Sequence, residues 1–150
     1  MKSTTRRKYI ILVIGIAVLV AVYFITRPNT TSFKELVLDH VNVADITSIE
    51  IVKTQRSSQE EEIVVTDRNK IENIINGFAR AELRQSDSGG EFSEAYWISI
   101  QENDKLRFGL RLDDQNYISI SDLQRNDKYG SGHYQITNDF NSEFIRNLFN

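Results

Sequence analysis

Trp97, Arg107, Arg111 and Tyr117 are the residues of this chain whose types and spacing best suit a binding surface. They lie in three runs where apolar residues alternate with polar ones: Tyr96, Ile98 and Ile100; Leu106, Phe108, Leu110 and Leu112; Ile118 and Ile120. An alternation of period two places successive side chains on opposite faces of a strand. Trp97, Arg107, Arg111 and Tyr117 all occupy the polar phase, so they are expected on the face turned away from the core, with Ser119 nearby. Tryptophan, tyrosine and arginine dominate binding hot spots because they combine large contact area with directed hydrogen bonds. The four residues are therefore expected to form an aromatic and guanidinium patch for a partner.

Other chemistries find little support. The chain has no cysteine, which removes disulfides, thiolate catalysis and zinc-thiolate sites. His40 and His133 are its two histidines and lack ligand spacing. No Gly-x-Ser-x-Gly or Ser-x-x-Lys pattern marks a serine nucleophile. Glu60, Glu61 and Glu62 form an acidic run that reads as a solvated loop and strand start. Asp113, Asp114, Gln115 and Asn116 are oxygen-rich but lack the glycine and terminal glutamate of a calcium loop, and a turn accounts for them. Gly89-Gly90 precedes no helix start and is not a phosphate cradle. No catalytic residue, metal ligand or cofactor is expected, and the chain is read as a non-enzyme. The alternative is a carboxylate-based cell-envelope hydrolase, which needs two acids converging about 5 to 9 Å apart in a cleft.

The elements that must position the patch follow from periodicity. Residues 27–45 read as a polar link with a short helix, started by a capping box of Ser32 and Glu35. Ile49 and Ile51, then Ile63 and Val65, suggest two strands of a hairpin. Asp67 caps a helix in which Ile71, Ile74, Ile75 and Phe78 share one face. A weaker strand covers Ala81 to Arg84, ahead of the three alternating runs, which are separated by turns at Asn103-Asp104 and Asp113–Asn116. Tyr134 and Ile136 suggest a last strand, and Phe140, Phe144, Ile145 and Leu148 a C-terminal helix. Residues 46–150 are therefore expected to form an α+β two-layer domain, an antiparallel sheet with helices packed on one face.

Ahead of this domain, residues 9–26 carry no charge, and Arg6, Arg7 and Lys8 precede them. As a helix the run would measure about 27 Å, close to the roughly 30 Å hydrocarbon thickness of a bilayer. Bulky residues stand where a signal peptidase needs small ones, so the segment is expected to be an uncleaved transmembrane helix through which the protein contacts the membrane. The basic flank predicts a cytoplasmic N-terminus over residues 1–8 and an extracytoplasmic domain, in a single-pass protein of the cell membrane. With Lys2, Arg6, Arg7 and Lys8 set aside, 14 of the 18 basic residues face all 21 acids, a net charge of −7 that speaks against nucleic acid as a partner.

Ile46-Thr-Ser-Ile-Glu-Ile51, Ile63-Val-Val-Thr-Asp67 before the Ile-x-x-Ile-Ile helix, and Tyr117-Ile-Ser-Ile120 together resemble small membrane-anchored or lipid-anchored extracytoplasmic domains of unknown function in Gram-positive bacteria. The resemblance spans about residues 46–149. Many such domains carry their lipid on a cysteine, which this chain lacks. The resemblance brings no catalytic residue. The expected function is that of a membrane-anchored binding or accessory domain contacting a membrane protein or a cell-envelope component.

Overall fold

The computed structural model describes residues 13–20, 30–56, 59–87, 91–125 and 130–150. Eight strands build one antiparallel sheet: β1 (Thr30–Ser32), β2 (Ile46–Gln55), β3 (Glu61–Val65), β4 (Glu82–Gln85), β5 (Glu94–Glu102), β6 (Lys105–Asp113), β7 (Tyr117–Asp122) and β8 (Ser131–Ile136). Their order is β1-β4-β8-β7-β6-β5-β2-β3, so β6 is internal and β1 and β3 are the edges.

Local chemistry accounts for the connections. Asn103 and Asp104 join β5 to β6 with φ of 51° and 60°. Positive φ at both central residues is the twist that a two-residue hairpin needs, and Asn and Asp tolerate it better than most residues. Asn116, at φ 61°, serves the turn from β6 to β7. There the Asp113 carboxylate accepts from the backbone amides of Gln115 and Tyr117 at 3.0 and 2.9 Å.

One face of the sheet is buried. Ile49, Ile51, Ile98, Ile100, Phe108, Leu110, Leu112, Ile118 and Ile120 project from it into a single core. Over them lies the Arg68–Phe78 helix, capped by Asp67, which accepts from the Lys70 amide at 3.0 Å and buries Ile71, Ile74, Ile75 and Phe78. Phe78 stacks on Phe33 at 4.9 Å and meets Phe144 edge-on at 5.2 Å. Gly77 makes that edge contact possible, since a Cβ there would stand 2.7 Å from the Phe144 ring. Thr30–Ser32, in the stretch read as a link, pairs with β4, while Phe33, Val37 and Val41 enter the core. The Ser32 hydroxyl accepts from the Glu35 amide at 3.2 Å.

Two expectations are corrected. The fold is a single eight-stranded antiparallel sheet rather than an α+β domain headed by a transmembrane helix. Among the described residues after Thr30, Arg68–Phe78 is the one helix longer than four residues, and the C-terminal stretch forms only Glu143–Arg146 and a 3-10 turn at Asn147–Phe149. The strand at Thr30–Ser32 adds to the sheet a segment whose polar composition concealed it.

The transmembrane helix expected over 9–26, and with it the single-pass membrane location, is also corrected. Among the described residues no helix is long and apolar enough to cross a membrane. Residues 13–20 are helical, which is about 12 Å of helix against a hydrocarbon core of about 30 Å. Residues 9–12 and 21–26 lie outside the described residues. An uncharged run records only how a segment would partition into lipid, whereas spanning needs continuous helix across the full thickness.

Candidate functional site

Cross-strand register assembles the outer face of the sheet. Val52 pairs with Trp97, Trp97 with Arg111, Arg111 with Ser119, and Ser119 with His133, so these residues form one row across β2, β5, β6, β7 and β8. The next row reads Glu50, Ser99, Gly109, Ser121 and Ser131. Residues directly opposite on adjacent strands have Cβ atoms about 5 Å apart, close enough for their side chains to act together.

Trp97 stands 48% exposed. Its ring lies 5.8 Å from the Arg111 guanidinium, and the Phe92 ring lies 5.0 Å from the same group. Both contacts favour the cation and hold its plane by attraction to the ring faces. The Arg111 side chain is only 22% exposed, and its nearest anionic neighbour is Asp113 Oδ2 at 3.9 Å, beyond hydrogen-bond reach. Arg111 Nε is buried without a partner.

Between Trp97 and the serines lies a shallow depression of about 170 Å³, lined by Trp97, Ser99, Gly109, Arg111, Ser119 and Ser121. Its floor is Gly109, whose missing side chain leaves nothing within 4 Å of the Cβ position. At the rim, Ser119 Oγ and His133 Nδ1 share a hydrogen bond of 2.8 Å, and Ser131 Oγ donates to Ser121 Oγ at 3.3 Å.

Of the four residues expected in the patch, the fold brings Trp97 and Arg111 together directly. Tyr117 lies on the same face, two positions along β7 from Ser119 and opposite Gln135. Arg107 stands apart. The β5–β6 register shifts between Ile100 and Gln101, and a bulge of this kind breaks the alternation that would otherwise send Arg107 outward. It is 7% exposed, donating from Nη1 to Asp122 Oδ1 at 2.6 Å and from Nη2 to the His40 carbonyl at 3.1 Å, with Glu102 at 3.7 Å from Nε. Arg107 therefore clamps the sheet to the segment before β2.

Gly109, Phe92 and His133 are members of this site that periodicity does not single out. Gly109 has a readable signal, because a glycine inside an alternating strand often marks a place where something approaches the backbone closely. Phe92 and His133 reach the site only through chain turns and pairing. His40, on the opposite side, contributes a backbone carbonyl. No group of three or more His, Asp or Glu suited to hold a metal occurs among the described residues.

A second polar cluster closes one end of the core. Glu94 accepts from the Tyr96 hydroxyl and the Gln55 amide and sits 3.6 Å from Lys53 Nζ. Burial pushes the Glu94 carboxyl up, but the Tyr96 and Gln55 hydrogen bonds and the Lys53 charge outweigh it, so its pKa lies below the usual value. Burial, reinforced by Glu94, pushes the Tyr96 phenol up to about 12. Lys53 also lies over the Phe149 ring at 5.7 Å, which fastens the C-terminus to this cluster.

No protein-family model matches the chain, and neither curated proteins nor solved structures give a match. The functional reading therefore rests on the outer face alone.

Proposed function

We propose that the chain is a binding or accessory domain that engages a protein partner through the outer face of its sheet, with Trp97 and Arg111 as the anchors and Tyr117 at the margin. The observation that carries this reading is the half-exposed Trp97 indole standing beside a guanidinium that has no hydrogen bond within the described residues. An exposed indole gains about 25 cal/mol for each Å² of apolar surface that a partner covers. A stacked arginine adds directed donors without having to be reoriented first.

A hydrolase built on paired carboxylates has weaker support. Each of the more buried acids is already engaged: Glu94 by Lys53, Glu102 and Asp122 by Arg107, and Asp113 by two turn amides.

The test is photocrosslinking in the producing cells from a reactive residue at Val52, which faces Trp97 across the strand pair. A discrete protein adduct that disappears when Arg111 is changed to Ala, and that is not formed from a reactive residue at Asn76 on the opposite layer, is the expected result. An adduct indifferent to both changes would remove the outer face as the binding surface.

A further inference from the structure

Gly109 lies in the interior of a central strand, and nothing in the backbone requires it. No described glycine has positive φ, and no atom within 4 Å would meet a Cβ at this position. A glycine there sacrifices stability relative to alanine, because it loses more conformational freedom on folding and packs nothing in return. By contrast, Gly77 is demanded by the Phe144 ring. What Gly109 provides is the depression itself, bare backbone between Trp97, Arg111 and three serine hydroxyls.

The groups around that floor define what it would accept. Arg111 presents a guanidinium held by two aromatic rings and lacking any hydrogen bond among the described residues. Asp113 opposes its charge from 3.9 Å but occupies none of its donors, since the other Asp113 oxygen is committed to the turn amides. The missing complement is therefore a set of acceptor oxygens rather than a bare counter-charge. Ser99 and Ser121 supply further hydroxyl donors, and Ser119 joins them in the tautomer in which His133 Nδ1–H donates to its oxygen. A planar fork with hydroxyls beside it suits the oxygens of a carboxylate or phosphate group, where two parallel N–H···O bonds form together.

We infer that the depression over Gly109 is an oxyanion seat, in which a carboxylate or phosphate group of the partner lies between Arg111 and the Ser99, Ser119 and Ser121 hydroxyls while its apolar portion covers Trp97. This rests on the partner-binding reading above and names the chemistry that it recognises. Gly109 is then a specificity residue, keeping the backbone bare so that the oxyanion reaches the guanidinium level.

Trp97 is the only tryptophan of the chain, so its fluorescence reports on this position alone. The experiment titrates the full chain with acetate and, separately, with inorganic phosphate at constant ionic strength, using acetamide as the neutral counterpart of acetate. Saturable change with at least one anion and none with acetamide is expected. The stronger anion identifies the ligand group as a carboxylate or a phosphate. Gly109→Val, which fills the depression, and Arg111→Gln, which leaves the strand backbone untouched, should each weaken binding roughly tenfold or more. Gly109→Ala should meanwhile raise the melting temperature. Absence of saturation with either anion, equal response to acetamide, unchanged affinity in Gly109→Val, or a lower melting temperature for Gly109→Ala would each overturn the seat. If the seat fails while Arg111-dependent crosslinking from Val52 persists, the partner-binding surface stands without it; if crosslinking fails and anion binding holds, the face serves a small ligand instead.

Discussion

Ser119 Oγ and His133 Nδ1 face each other across β7 and β8 at 2.8 Å, directly beside Arg111 on β6. A serine paired with a histidine invites a nucleophilic reading, but two further parts of that machinery are absent among the described residues. No described hydrogen bond orients the other histidine nitrogen, and β7 is flanked on both sides, so its ladder amides are not free to stabilise an oxyanion. On the proposed binding reading, the pair positions a hydroxyl for recognition. An active-site serine probe such as a fluorophosphonate should therefore leave Ser119 unlabelled, and mass spectrometry of the treated protein checks this. Stoichiometric labelling would favour an acyl-transfer enzyme.

Arg107 and Arg111 are four residues apart on the same strand yet should differ in cost when truncated. Arg107→Ala strands the buried Asp122 carboxylate, and breaking a buried pair in this way costs about 3 to 5 kcal/mol. Arg111→Ala leaves the buried Asp113 carboxylate without its counter-charge, but that pair is long at 3.9 Å and Asp113 keeps its two turn amides, so the cost should be smaller, about 1 to 2 kcal/mol. Urea denaturation of the two variants measures the contrast. Equal losses would mean that Arg111 is structural.

The Glu94 and Tyr96 cluster predicts the shape of the stability curve against pH. The Glu94 carboxyl is held low in the folded chain, so its contribution is present above the unfolded value near 4.5 and disappears as pH falls through the folded one. The Tyr96 phenol is held high, so its contribution is complete below about 10 and disappears as pH rises toward about 12. Glu94→Gln should flatten the acid limb of urea midpoint against pH, and ultraviolet titration of the folded protein should show Tyr96, together with Tyr134, whose phenol burial also pushes up, ionising late.

Gly77→Ala should destabilise the chain by about 1 to 3 kcal/mol, the usual cost of forcing an extra methyl into a packed core. The added carbon would meet the Phe144 ring at 2.7 Å. Gly77→Ala combined with Phe144→Ala should recover part of that loss relative to Phe144→Ala alone, which thermal melts of the four proteins would show. Additive losses would place the strain elsewhere.

The legibility of this chain follows from where period two holds. Tyr96 to Ile100 and Phe108 to Leu112 alternate cleanly, and there the sequence identifies both strand and face, including Trp97 and Arg111, whereas Leu106 is exposed. Arg107 escapes because a register shift is a property of two strands together and leaves no trace in either one alone. Thr30–Ser32 escapes because a three-residue edge strand without apolar residues has no period to show. The uncharged run at 9–26 misleads for a different reason, since composition alone does not establish a continuous helix, and the described helical residues are too few to cross a bilayer. The site was half legible: its aromatic and its cation are conspicuous residue types, whereas its floor is a glycine and its rim is assembled by pairing.

Glu61 and Glu62 lie on β3, at the edge of the sheet, and both are exposed. An edge strand offers unpaired amides and carbonyls to any similar strand that approaches. Were two copies to meet there, each would bring its own pair of carboxylates to the seam, and like charges in register repel across a strand pair. The acidic run thus acts as a border, discouraging the sheet from growing through its own copies at this edge.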